Sequence, residues 1–203
     1  MKSMYTHSVK LSEREMLLAA SSGVQREVEC LRKLSNGKNA VSEYEKNNNR
    51  VGSGGLWNNH IEGAMGEFAA AKFLGLYPGA ITDKDATDVG KHYEVRTRPL
   101  KYQELFIRKK EKEDKEDKYF ILVWGAYGDY TICGWISAYE TFAHPEWYHD
   151  NDDTTGYRYW IPHEFLYPMK TLPKEAPCKK KIISSLSSSR SIKPIQSDLS
   201  EKS

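Results

Sequence analysis

TDVGKHYEVRTR, residues 87–98, marks the place where the chain changes its periodicity. Short β-prone runs stand on either side of Gly90-Lys91, which predicts a hairpin with a two-residue turn. Side chains alternate along a strand, so Glu94, Arg96 and Arg98 share one face while Val95 and Thr97 share the other. Asp88 and Glu94 are then expected on adjacent strands, close to the turn.

Downstream, ELFIR (104–108), KYFILVWG (118–125) and DYTICGWIS (129–137) read as three more strands. The unbroken apolar run Phe120 to Trp124 predicts a central strand covered on both faces, and Gly128-Asp129 supplies the next turn. The connection KKEKEDKEDK (109–118) has no apolar stripe and reads as exposed. Residues 139–172 are irregular and aromatic, with short helical pieces around Glu164 to Leu166.

Upstream, IEGAMGEFAAAKFLG (61–75) has helical periodicity from Ile61 to Leu74, with Asn58 or Asn59 as cap and Gly75 as stop. Ile61, Met65, Phe68 and Lys72 form its stripe. Glu67 lies just off that stripe, beside Gly63, Ala64, Ala70 and Ala71, where small neighbours allow close approach to a sheet. Residues 35–59, rich in Asn, Gly, Ser and Lys, read as a long mobile loop hinged at the GSGG of 52–55. Ser12 and Glu15 fit a capping box opening an N-terminal helix over 12–34. Ser21-Ser22-Gly23 weakens its middle and leaves open a kink or two shorter helices.

The expectation is an α/β fold: one domain over residues 1–172 with its core in 60–172, and a mixed sheet of four or five strands flanked by helices. A length of 203 residues suits one core. The mean hydropathy of −0.70 beside 12% aromatic residues fits a folded domain with polar appendages. The formal charge of +2 identifies no partner class. From Pro173 onward, seven Lys or Arg face three acids, so residues 173–203 form a basic, disordered Ser/Lys-rich tail able to approach phosphate backbones, or simply a solubilising end. Cys30, Cys133 and Cys178 are scattered and odd in number, which favours a reducing, cytoplasmic setting over a disulfide frame or a thiolate zinc site. No segment approaches the ~20 apolar residues of a membrane span, and no signal-peptide core is evident. His144, His149 and His163 with Asp150, Asp152 and Asp153 match no strong zinc template.

If the Glu94 face of the hairpin meets the Glu67 edge of the helix, three carboxylates and two guanidiniums share one cleft. Glu67, Asp88, Glu94 and the Val95 carbonyl are oxygen donors of the kind Mg²⁺ or Mn²⁺ takes, with positions left for a phosphate oxygen. Gly66-Glu67 on the helix, Asp88-Val89-Gly90 and Glu94-Val95-Arg96 together resemble the PD-(D/E)XK, or restriction-endonuclease-like, nuclease superfamily, in particular its small phage-encoded members. The likeness covers about residues 61–137. It implies a restriction-endonuclease-like core, a metal-dependent nuclease activity on DNA, Asp88 and Glu94 as metal ligands, and Glu67 as an assisting acid. Arg96, Arg98 and Lys101 are the expected nucleic-acid contacts, Arg96 at the scissile phosphate.

Arg96 stands where the family has a catalytic lysine, and a guanidinium stays protonated. Lys72, Lys91, Lys101 or Lys109 are candidates to take that part. The family also places a helix after the third strand, for which KKEKEDKEDK offers no buried face. A nuclease-fold protein that binds nucleic acid without cutting it, and a phage-type protein–protein adaptor, are the alternatives. Individually, Glu67 can be a solvent-facing helix residue, Asp88 a turn former, and Glu94, Arg96 and Arg98 a solvated strand face. Tyr148, Tyr157, Tyr159 and Trp160 beside Arg158 can stack bases or merely cover the sheet, whereas Phe120, Trp124 and Trp135 read as core.

Overall fold

Residues 6–35, 55–78, 87–109, 111, 115–149 and 157–174 are described in this computed structural model. The central strand organises the rest. It runs Tyr119–Ala126 (β4), and its side chains divide by parity between two apolar layers. Tyr119, Ile121 and Val123 pack with Ala69, Ala70 and Ala71 of a helix. Phe120, Leu122 and Trp124 pack with Leu105, Ile107, Tyr159 and Ile161 of a second sheet. A strand apolar on both sides is what two covering layers require.

β4 lies in a four-stranded mixed sheet of order β1-β5-β4-β2, with β1 at His7–Lys10, β2 at Tyr93–Arg98 and β5 at Asp129–Ser137. β2 runs parallel to β4, whereas β5 is antiparallel to both β4 and β1. The pairing shifts between Leu122 and Val123, opposite the extra residue Cys133. That bulge reverses parity, so Ile132 and Trp135 of β5 both face the helices. The β4–β5 turn is Tyr127-Gly128, one residue earlier than expected, and both have positive φ, 54° and 90°. A two-residue turn of that hand matches the strand twist.

The expected strand ELFIR forms as β3 (Leu105–Arg108), but in a separate three-stranded sheet of order β3-β7-β6. Its partners Tyr148–His149 (β6) and Arg158–Ile161 (β7) come from the stretch read as irregular. Strands this short carry too little alternation to be seen in sequence and exist through pairing. β1, whose only buried residue is Val9, is hidden for the same reason. A short helix, α3 (Ala138–Phe142), follows β5, and the helical piece near Glu164 is a 3₁₀ turn at His163–Phe165.

Two long helices cover the other face. α1 (Glu13–Ser35) opens on the predicted capping box: Ser12 N–H donates to Glu15 Oε2 at 2.7 Å and Glu15 N–H to Ser12 Oγ at 3.3 Å. It passes through Ser21-Ser22-Gly23 without a break. The reason is packing: a Cβ on Gly23 would lie 2.5 Å from Ile61 Cα, so the glycine is where α1 and α2 cross. α2 spans Gly55–Leu74, starting before the asparagines expected to cap it, because packing on α1 outweighs cap preference. The remainder of the expected loop, 36–54, and the tail from 175 lie outside the described residues. The chain is still docked at Pro173, whose carbonyl accepts from Tyr93 OH at 2.8 Å. No helix among the described residues is long and apolar enough to cross a membrane.

Candidate functional site

β2 is an edge strand, and Val95 presents its backbone to the open side. Its N–H donates to Asp88 Oδ2 at 2.8 Å, and its carbonyl accepts from Arg96 NH1 at 3.0 Å. Asp88 is positioned by a turn wider than the predicted two residues. Val89 and Tyr93 bridge by paired backbone bonds around Gly90, Lys91 and His92, and Asp88 occupies the bend before them instead of a paired strand. The Thr87 hydroxyl ties the turn by donating to the Gly90 carbonyl at 2.5 Å.

Alternation on β2 is as expected, but the helix chooses the other face. Val95 packs among the alanines of α2, and Thr97 meets Gly66 so closely that a Cβ there would sit 1.8 Å from Thr97 Oγ1. Glu94, Arg96 and Arg98 therefore point away from α2. The shared face foreseen for Glu67 and Glu94 is corrected to an arrangement around the strand edge. Glu67 stands on the helix side, Asp88 at the edge and Glu94 on the far side.

Each acid has its own partner. Glu67 is held bidentately by Arg26 of α1, at 2.6 and 2.5 Å. Glu94 is 1% exposed; its Oε2 accepts from Lys115 Nζ, and its buried Oε1 has no hydrogen-bond partner among the described residues. Arg96 links the acids: NH1 is 3.8 Å from both Asp88 Oδ2 and Glu94 Oε2, and NH2 bonds Glu111 Oε1 at 2.6 Å.

Burial pushes the Glu67 carboxyl up to about 7; the charge of Asp88 adds to that shift, and Arg26 opposes it without cancelling it. Arg26 is itself held more firmly as a cation, chiefly by its bonds to Glu67. Glu94 is raised by burial and by Asp88, against the pull of Lys115 and Arg96. Arg96 loses from burial but is stabilised as a cation by Glu111, Asp88 and Glu94 together. Burial, more than any surplus of negative charge, is what raises Glu67 and Glu94.

The donor set is all oxygen, and the orphaned Glu94 Oε1 is a buried acceptor of the kind a hard cation takes. In kind, these residues suit Mg²⁺ or Mn²⁺. In this conformation the acids are drawn to Arg26, Arg96 and Lys115, and no three His, Cys, Asp or Glu side chains among the described residues form a metal-holding group.

Arg26, Glu111 and Lys115 were not singled out from sequence. Within the connection read as exposed, Glu111 is buried and Lys115 half-buried; Lys115 N–H bonds the Glu111 carbonyl at 2.9 Å, and their side chains meet Arg96 and Glu94. Glu-x-x-x-Lys spacing in KKEKEDKEDK was the available signal. The lysines nominated earlier lie elsewhere. Lys72 bonds Glu15 and the Lys10 carbonyl, Lys91 and Lys101 are exposed, and Lys109 lies over Tyr148 and Tyr157. Arg98 rests on Phe106 and Trp160, with centroid distances of 5.2 and 5.7 Å. His144 stacks on Trp147 at 4.0 Å, His163 bonds the Gln103 carbonyl, and His149 is exposed on β6; Asp150, Asp152 and Asp153 lie outside the described residues. Compared with protein-family models, curated proteins and solved structures, the chain matches none.

Proposed function

We propose that this chain is a divalent-metal-dependent nuclease acting on DNA, and that helix α2 with the mixed sheet is a restriction-endonuclease-like core. One observation carries the reading. Asp88 and Glu94 flank the outward-facing backbone of Val95 on an edge strand, with the buried acid Glu67 electrostatically coupled to both. Asp88, Glu94 and the Val95 carbonyl would hold the ion, with Glu67 completing or orienting the shell. When bound, Mg²⁺ or Mn²⁺ supplies Lewis acidity and charge neutralisation for phosphodiester hydrolysis.

The chain's own groups have separable parts. Arg96, always protonated and already between the two acids, binds the scissile phosphate and offsets charge developing on its oxygens. Lys115 is the lysine that touches Glu94. It takes the part that the superfamily resemblance assigns to a lysine at position 96, orienting the attacking water by donating a hydrogen bond to it. Arg26 keeps Glu67 in place and balances its charge.

A second reading is nucleic-acid binding without cleavage. It is favoured by Arg96 in the lysine position and by the ion pairs that already engage Glu67 and Glu94. Plasmid and single-stranded DNA incubated with Mg²⁺ or Mn²⁺ separates the two. The nuclease reading expects cutting that EDTA stops and that Asp88→Ala and Glu94→Ala each reduce by at least about 100-fold. DNA binding that persists in EDTA, with no cutting in either metal, selects the second.

A further inference from the structure

The three oxygens proposed to hold the ion share a cationic neighbour, and it belongs to the chain itself. Arg96 NH1 donates to the Val95 carbonyl at 3.0 Å and stands 3.8 Å from both Asp88 Oδ2 and Glu94 Oε2. Lys115 pairs with Glu94, whereas NH1 faces the whole donor set. Two further contacts fix the guanidinium there. Its NH2 donates to Glu111 Oε1 at 2.6 Å, and Glu111 Oε2 in turn accepts from the Arg108 backbone N–H at 2.9 Å. Its central carbon lies 4.9 Å from the ring centroid of Phe120, which is fully buried. The Arg96 side chain keeps 14% of its surface exposed, so a ligand can still reach it.

Mg²⁺ binds oxygen at about 2.0–2.1 Å, so an ion held by all three donors lies nearer to each of them than NH1 does now. A divalent ion and a guanidinium cannot share that space, because they repel each other and compete for the same lone pairs. Arg96 must therefore give up the acids before the ion is seated. Leaving is costly for an enclosed cation, since Asp88 and Glu94, with Glu111, are what offset its burial. A phosphate oxygen supplies the replacement acceptor, and it suits the planar fork of a guanidinium.

We infer that Arg96 is an internal counter-ion that closes the metal seat in the free chain, and that metal and nucleic acid bind cooperatively because a phosphate draws Arg96 off the acids. The inference rests on the metal-site reading of Asp88, Glu94 and Val95, and adds regulation to it: the chain takes up the ion poorly until a phosphate backbone is present. Linkage makes the effect reciprocal, so the ion tightens nucleic-acid binding by the same factor. Glu111 is the positioning residue, since it holds the far nitrogen of the fork.

The test is Mn²⁺ binding by the full chain, followed by electron paramagnetic resonance of the free ion. It is run with and without a phosphorothioate oligodeoxynucleotide, whose links keep their charge and resist hydrolysis; Mn²⁺ taken up by the oligonucleotide alone is subtracted. Expected is a Kd lower by about ten-fold or more with the oligonucleotide, and an equal gain in oligonucleotide affinity, read by anisotropy, on adding Mn²⁺. Arg96→Met should bind Mn²⁺ about ten-fold tighter than the parent chain without oligonucleotide, and should lose most of the coupling. Arg96→Lys keeps a cation but lacks the fork that joins Glu111 to the acids. It should also bind Mn²⁺ more tightly, and it serves if Arg96→Met fails to fold. Equal Mn²⁺ affinity with and without oligonucleotide, or Arg96 variants no tighter for Mn²⁺ than the parent, overturns the inference. Coupled binding without cutting of ordinary DNA would remove the nuclease reading and leave the counter-ion. Cutting without coupling would do the reverse.

Discussion

Lys115 and Arg96 approach Glu94 from different parts of the chain, and their chemistry separates them. A guanidinium clamps a phosphate through its planar fork, whereas an ammonium is a compact donor with three N–H groups that can hold both Glu94 and a water. On the proposed nuclease reading, Lys115→Ala should therefore reduce cleavage by about 100-fold or more, mainly in kcat, while leaving the affinity for DNA in EDTA little changed. Lys115→Arg keeps the ion pair to Glu94 and should remain impaired. Steady-state kinetics with a circular-dichroism check of folding reads both. A Lys115→Ala enzyme with unaltered kcat would assign the lysine to structure alone. Arg26 is a different case: it touches Glu67 but no expected substrate contact, which makes it a positioning residue. Arg26 could not be picked from sequence, because it is one of many cations and only packing selects it; for Lys115 the Glu-x-x-x-Lys spacing signals a pair with Glu111 but not its arrival at Glu94.

The helix α2 and strand β2 meet through the smallest side chain available. Gly66 lets Thr97 come so near that an added Cβ would lie 2.8 Å from Thr97 Cβ and Cγ2, and closer still to its hydroxyl. Gly66→Ala should destabilise by about 1–3 kcal/mol, the usual cost of overpacking a tight contact. On the nuclease reading, activity should fall as well, because Glu67 is the next residue. Thr97→Ala removes two of the three clashing atoms and should restore part of the stability in the double variant, measured by urea unfolding. An additive double variant would mean the strain lies elsewhere. Sequence foresaw that the small residues near Glu67 permit close approach. It assigned the approach to the wrong face of β2, since alternation says which residues share a face but not which layer covers it.

For the molecule as a whole, a raised buried acid couples stability to pH. Glu67 titrates at about 7 in the folded chain against an ordinary value of 4.5, so between those values the folded state holds a proton that the unfolded state has released. Stability contributed by that proton is complete below about 4.5 and is lost as pH rises through about 7, on the order of 1–3 kcal/mol. His60, lowered by burial, works in the opposite sense as pH falls through its unfolded value of 6.5. Glu67→Gln removes its share and should make the decline in EDTA between pH 5 and 8 shallower without abolishing it, because Glu94 is raised to about 7 as well. On the proposed metal-binding reading, which needs ionised carboxylates, Mg²⁺ at a hundred-fold excess over Kd should stabilise the fold at pH 8 by about 3 kcal/mol and by less at pH 5.5, read as a shift of the unfolding midpoint. A midpoint indifferent to Mg²⁺ at both pH values would exclude a cation from this cluster.

Local patterns in the chain were sufficient for the capping box at Ser12 and Glu15, the two long helices, the twice-covered strand β4 and the alternation of Glu94, Arg96 and Arg98. Each depends on neighbours within a few residues, where backbone geometry imposes a period on side-chain direction. Strands β1, β6 and β7, the placement of ELFIR in a second sheet, the covered face of β2, and the arrival of Arg26 and Lys115 at the acids arise from contacts between distant segments. A strand of two or four residues gains its stability from the partner it pairs with, and an ion pair from the layer that excludes water around it. Those partners become neighbours only when the two apolar layers close over β4.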